Sequence, residues 1–97
     1  MDIRQVEFVV AIVDHGGFTR AAAALGLTQP SLSQSVRRLE EELGAPLLAR
    51  VGRRVELTEA GEAFLGPARR LLREAQRARD VVAAHAGLAA GTLDLVA

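Results

Sequence analysis

The side chains best suited to chemistry fall between Phe18 and Val55, and they are hydrogen-bonding and guanidinium groups rather than a nucleophile with its base. Gln29, Ser31, Ser33, Gln34, Arg37 and Arg38 crowd into one short stretch. Gln and Arg can each place two parallel hydrogen bonds on a base edge, Arg can do the same on a phosphate, and Ser is a short phosphate donor. Further on, Gly52-Arg53-Arg54 sets two guanidinium groups on a tight turn, narrow enough to approach a minor groove.

The charge balance at first opposes a polyanionic partner: twelve basic residues meet twelve acidic ones. The distribution answers the objection. Every basic residue is Arg. His15–Leu39 carries Arg20, Arg37 and Arg38 with no acid, and Gly44–Val55 carries Arg50, Arg53 and Arg54 with no acid. Acids gather at Asp2, Glu7 and Asp14, at Glu40-Glu41-Glu42, and from Glu56 to the C-terminus. Local field, rather than total charge, selects a partner.

Other reactive residues lack company. His15 closes a helix, where an imidazolium would offset the negative terminus. His85 has no second ligand near it, so no metal is expected. Consecutive Glu40, Glu41 and Glu42 point in different directions around a helix and read as a solvated face. Ser31 and Thr58 have no base in any catalytic motif. The chain is expected to be no enzyme, with no cofactor.

Bulk properties agree. At 97 residues and 49% hydrophobic, the chain holds one domain and is no disordered tail. It has no Cys, hence no disulfide framework or thiolate metal site. Met1-Asp2-Ile3-Arg4 lacks the pattern of a signal peptide, and no apolar run nears the ~20 residues of a membrane span. A cytoplasmic protein without membrane contact is expected.

The elements that must position the polar set are mostly helices. Asp2 with Gln5 makes a capping box for a first helix, which Gly16-Gly17 stops. Thr19 reads as the cap of a short second helix, Arg20 to Leu25, ending at Gly26. Thr28 caps a third, with Pro30 in its first turn and Leu32, Val36, Leu39 and Leu43 as an apolar stripe; Gly44 and Pro46 end it. Extended pieces at Leu47–Arg50 and Arg54–Leu57 form a hairpin. Thr58 caps a long helix reaching about Gly87, kinked at Gly66-Pro67. Gly87 to Gly91 reads as a hinge and Thr92–Val96 as the start of a strand.

Within this plan, Ala22 is the small residue where two helices cross and Gly26 takes the turn. Ala21, Leu25, Leu27, Leu32 and Val36 lock the pair. That is the requirement of a helix-turn-helix. The fold expected is mainly α: a winged helix-turn-helix of three helices plus a two-stranded wing, followed by a long linker or dimerisation helix. Residues 1–57 would form the winged unit, 58–87 the linker helix, and 88–97 the hinge and the start of a further domain.

Three motifs, Phe18–Ser33 (FTRAAAALGLTQPSLS), Leu39–Arg50 (LEEELGAPLLAR) and Leu57–Gly61 (LTEAG), resemble the N-terminal domain of LysR-type transcriptional regulators over essentially the whole chain. The resemblance implies sequence-specific binding of double-stranded DNA by a bacterial transcription regulator. It places Thr28, Gln29, Pro30, Ser31, Ser33 and Gln34 in the major groove. Thr19, Ser33 and Arg37 would touch phosphates, with Arg20, Arg38 and Arg50 on the same basic surface, and Arg53 and Arg54 would form the wing. It also makes Gly91-Thr92-Leu93-Asp94-Leu95 the opening of an effector-binding domain, through which alone a small-molecule effector would act. One departure is Leu48, where the family commonly carries Phe, and it bears on how the wing packs.

Phe64, Ala68, Leu71, Ala75, Ala78 and Val82 are spaced 4, 3, 4, 3, 4, an a/d seam that predicts a homodimer, or a tetramer in a full-length protein. Leu65 and Leu72 on an adjacent face are left to pack on the chain's own domain. A symmetric dimer implies an imperfect inverted repeat as its DNA site. The competing reading is a protein-assembly module that uses the winged helix and the long helix without specific DNA readout. Assembly alone gives no reason to keep the third helix up to Leu39 and the wing free of acids.

Overall fold

The computed structural model describes the backbone of residues 1–96 and the side chains of residues 1–87. Element order is α1 Ile3–His15, α2 Phe18–Leu25, α3 Gln29–Leu43, β1 Leu48–Val51, β2 Arg54–Leu57 and α4 Glu59–Val96.

Local chemistry sets most boundaries. Asp2 accepts from the Gln5 N–H at 2.9 Å, and the Gln5 side chain accepts from the Asp2 N–H at 3.0 Å, completing the capping box of α1. Thr28 accepts from the Ser31 N–H at the start of α3. The bihelical turn closes at Gly26, whose φ of 70° carries the chain into the left-handed region open to glycine. There Leu27 N–H reaches back to the Ala22 carbonyl at 2.9 Å and Gly26 N–H to that of Ala23, the two bonds of a Schellman motif.

α1 lies at the centre because it is apolar on two faces. Phe8, Val9 and Ile12 join Ala21 and Ala22 of α2, Leu32, Val36 and Leu39 of α3, and Leu47 in the main core. Val6 and Val10, one turn apart on the other face, hold Ala68 of α4, with Phe64, Leu65 and Leu72 around them. Leu43, the last residue of the α3 stripe, is 42% exposed.

The wing is an antiparallel hairpin with Leu48 opposite Leu57 and Arg50 opposite Val55, closed by the two residues Gly52-Arg53. Strand alternation puts Leu48, Arg50, Val55 and Leu57 on one face and Ala49, Val51, Arg54 and Glu56 on the other. Leu48, Leu57 and Val55 are half-buried, and Leu48 and Val55 pack against the main core, so the hairpin leans inward on the helices.

Three expectations are corrected here. α2 begins at Phe18, not Arg20, and its cap is Gly17 rather than Thr19. Gly17 adopts φ 151°, which lets the helix start earlier and leaves Thr19 exposed in the first turn with no capping bond. β1 is shifted by one residue, because Leu47 turns into the core and its carbonyl accepts from the Thr58 N–H at 3.0 Å. α4 passes through Pro67 undivided and continues to Val96, where a hinge at Gly87–Gly91 and a strand at Thr92–Val96 were expected. A lone strand would leave its backbone groups unpaired, whereas a helix satisfies them internally. Side chains beyond Gly87 lie outside the described residues.

Candidate nucleic-acid interface

α3 carries its polar residues as two stripes, since residues four apart share a helix face. Gln29, Ser33 and Arg37 form one stripe, and Gln29 Nε2 donates to Ser33 Oγ at 3.3 Å. Pro30, Gln34 and Arg38 form the other, and all three are exposed. Thr28 and Ser31 sit at the N-terminus, where the Thr28 hydroxyl donates to Ser31 Oγ at 2.8 Å.

The first stripe faces the wing across two adjoining clefts. One, of about 430 Å³, is bordered by Gly17, Thr19, Arg20, Gln29, Arg53 and Arg54, among others. The second, of about 130 Å³, lies between Ser33 and Arg37 on α3 and Leu48 on the wing. Structure thus brings Thr19, Arg20, Gln29, Arg50, Arg53 and Arg54 around one groove, though they come from α2, α3 and the wing hairpin. The first-turn N–H groups of α2 have no side-chain cap and border the same groove, an arrangement suited to an anionic oxygen. Thr28, Pro30, Ser31, Gln34 and Arg38 line neither cleft and present themselves outward.

In space the wing is not acid-free. Glu56 sits two residues beyond Arg54 on the outer face, 3.6 Å away, with both side chains more than half exposed. The Glu40–Glu42 run also departs from the solvated-face reading. Glu40 is half-buried and accepts the Leu47 and Leu48 N–H groups at 2.6 and 3.2 Å, tying the end of α3 to the root of the wing. Glu42 accepts from the Met1 ammonium at 2.6 Å. No periodicity links Glu40 to a backbone seven residues on, so the sequence carried no local signal for this bond.

The long helix meets its neighbours differently from the expected seam. Ala68 is 2% exposed against Val6 and Val10, and Phe64 packs beside it. Those two positions are turned toward the chain's own α1, because the a/d face points inward over the first three turns of α4. Leu65 and Leu72 help there, as expected. Exposed apolar residues lie further along: Leu71 at 38%, Val81 at 52% and Val82 at 68%. Bidentate hydrogen bonds from Arg69 to Asp14, 2.7 and 3.1 Å, fix α4 to the end of α1. The hydrogen bond from Arg69 and the attraction of its charge hold the Asp14 carboxyl below its ordinary value.

Among the described residues no helix is long and apolar enough to cross a membrane. No group of three His, Asp or Glu residues there could hold a metal ion.

A three-helix unit with a basic wing and a polar recognition face defines a winged helix-turn-helix. The model of the bacterial regulatory helix-turn-helix proteins of the lysR family matches residues 3–62, and the chain belongs to that family. It is 54% identical over 72 residues to the transcriptional regulator BudR of Klebsiella aerogenes, a match covering 74% of this chain and 50% of BudR. It is 43% identical over 96 residues to TfdT of Cupriavidus pinatubonensis, covering 99% of this chain and 42% of TfdT. The chain therefore spans half or less of these relatives' length. The fold superposes on the crystal structure of the CbnR DBD–DNA complex with a TM-score of 0.80 and 41% identity, covering 89% of this chain and 99% of that one.

Proposed function

We propose that this chain reads double-stranded DNA for a bacterial transcription regulator, with α3 in the major groove and the Arg53-Arg54 wing at the minor groove. The observation that carries the reading is the shared groove. Gln29, the uncapped start of α2 and four arginines from two parts of the chain converge on one surface that no acid lines, although Glu56 stands beside Arg54 and Glu40 lines the adjoining cleft. BudR and TfdT are transcriptional regulators by name, and the CbnR structure is a DNA complex.

In this reading Thr28, Gln29, Pro30, Ser31, Ser33 and Gln34 approach base edges. Thr19, Arg20, Arg37, Arg38 and Arg50 meet phosphates, and contacts of that kind position without specifying. The assembly reading has no observation in its favour, since it leaves the basic groove without an occupant. Dimerisation runs through the exposed part of α4 around Leu71, Ala75, Ala78, Val81 and Val82, so the DNA site is an imperfect inverted repeat. Residues 1–57 form the DNA-binding unit, α4 to about residue 87 the linker, and the remainder leads toward an effector-binding domain. The regulator works in the cytoplasm, as DNA binding requires, and performs no catalysis.

The deciding experiment is selection of bound sites from a random duplex pool. Enrichment of an inverted repeat with half-sites about one helical turn apart, or a multiple of it, supports the reading. A pool that stays random after repeated rounds overturns sequence-specific binding.

A further inference from the structure

Arg50 differs from the other arginines of the groove. It lies on the inner face of β1, two residues beyond the core-packed Leu48, and its guanidinium carbon sits 4.8 Å from the centroid of the Phe18 ring. Phe18 is the first residue of α2, is half-buried, and packs against the main core. The guanidinium therefore covers the outer face of a ring that is itself anchored. Beyond this pair Val51, Gly52, Arg53 and Arg54 are all exposed, so Arg50 with its cross-strand partner Val55 marks the last place where the hairpin touches the helices. Phe18 and Arg50 are also the two residues common to the linings of both clefts, and so form the wall between them.

We propose that Arg50 is a positioning residue: stacked on Phe18, it sets the angle of the wing over α2 and hence the reach of Arg53 and Arg54 relative to Gln29. The inference rests on the reading of the wing as a DNA-contacting element. Chemistry separates this role from that of a simple phosphate cation. A phosphate needs positive charge, which Lys also supplies, whereas lying flat on an aromatic face needs the planar guanidinium; a strongly hydrated Lys ammonium keeps only the point-charge part of the attraction to the ring.

The test uses the selected duplex with either A·T-rich or G·C-rich flanks and compares Arg50→Lys, Phe18→Leu, their combination, and Arg53→Ala with Arg54→Ala. Arg50→Lys keeps the charge and Phe18→Leu removes none. Each is expected to lower flank discrimination by about two- to five-fold, the range of an exposed cation–π contact. The combined variant should lose no more than either single one, because both break the same contact. Discrimination that survives Arg50→Lys but is lost in the Arg53/Arg54 variant overturns the positioning role while leaving the wing reading intact. Discrimination that survives the Arg53/Arg54 variant overturns the wing reading itself, and the role of Arg50 with it. Arg50 is exposed, so Arg50→Lys should fold and carries the test even if Phe18→Leu does not.

Discussion

Gly61 of α4 passes so close to Leu47 that a Cβ on the glycine would overlap the Leu47 carbonyl oxygen. That carbonyl already accepts from the Thr58 N–H, while the Thr58 hydroxyl donates to the Pro46 carbonyl at 2.6 Å and accepts from the Gly61 N–H at 3.0 Å. With Glu40 holding the N–H groups of Leu47 and Leu48, the end of α3, the root of the wing and the start of α4 form one hydrogen-bonded joint.

Gly61→Ala should therefore destabilise the fold. Inside a helix Ala is favoured over Gly by about 1 kcal/mol. Here the clash is with backbone, which cannot swing aside, and overpacking costs about 1–3 kcal/mol, more where the overlap is as deep as this one, which outweighs that gain. At Gly87 an added Cβ meets nothing, so Gly87→Ala should leave stability unchanged or raise it. Urea unfolding of both variants checks the contrast; equal midpoints would show that the joint yields.

Acid should loosen the attachment of α4 to α1. The Asp14 carboxyl is held below 3.8 first by its hydrogen bond from Arg69, then by the charges of Arg69 and His15, with burial working the other way. A depressed carboxylate contributes stability that is present above the unfolded value and is lost as pH falls through the lower, folded one. The contribution should thus be full at neutral pH and fade below about pH 4, and salt should weaken it because both side chains are more than a third exposed. Asp14→Asn should unfold with a flatter pH dependence across that window. An unaltered profile would mean the pair adds nothing in solution.

The sequence revealed what depends on neighbours along the chain and missed what depends on the fold. Caps at Asp2 and Thr28, the turn at Gly26 and the α3 core stripe Leu32, Val36 and Leu39 follow from local chemistry and periodicity, and the structure has them. The helical period also assigned Phe64 and Ala68 to a seam. It could not say which of two apolar faces meets α1, since that depends on the crossing of α1 and α4. The Thr19 cap failed because a glycine one residue before the helix offered an earlier start. Glu40 on Leu47, Arg50 on Phe18 and Arg69 on Asp14 join residues whose proximity only tertiary packing creates.

Dimerisation should depend on α4 beyond its contact with α1. Leu71→Asp with Val82→Asp places charges on exposed apolar positions and should give a monomer by light scattering with the helical circular-dichroism signal largely kept. Ala68→Asp should instead unfold the protein, since it buries a charge among Val6 and Val10. A Leu71/Val82 variant that remains dimeric would move the interface elsewhere.

DNA affinity should fall steeply with salt although the net charge is zero. With about six to eight phosphates neutralised per dimer, log K against log[salt] should have a slope of roughly −5 to −7. Removing Arg53 and Arg54 should make it shallower. Glu56→Gln frees Arg54 from its weak partner and should tighten binding about two-fold, in keeping with an exposed pair. A slope shallower than about −2 would show that the arginines do not face DNA.

Sequence readout should divide between Gln29 and Gln34. Five residues apart on α3, they are turned about 500° around the axis at ~100° each, and so point roughly 140° apart. The structure gives them unlike surroundings: Gln29 is half-buried beside Ser33 in the wing-facing stripe, while Gln34 is exposed on the other. They cannot address one base together. Gln pairs bidentately with adenine, so Gln34→Ala should cost roughly 1–3 kcal/mol at the preferred site and relax preference at a single position per half-site. Gln29→Ala should act at a different position and more weakly, because Gln29 must give up its bond to Ser33 before reaching a base. Arg37→Ala should weaken binding to all sequences almost equally, as loss of a phosphate contact does. Competition against a panel of single-base variants separates these outcomes. If both glutamine variants keep the parent preference profile, specificity comes from the shape of the DNA, which the wing reads through groove width, and not from α3.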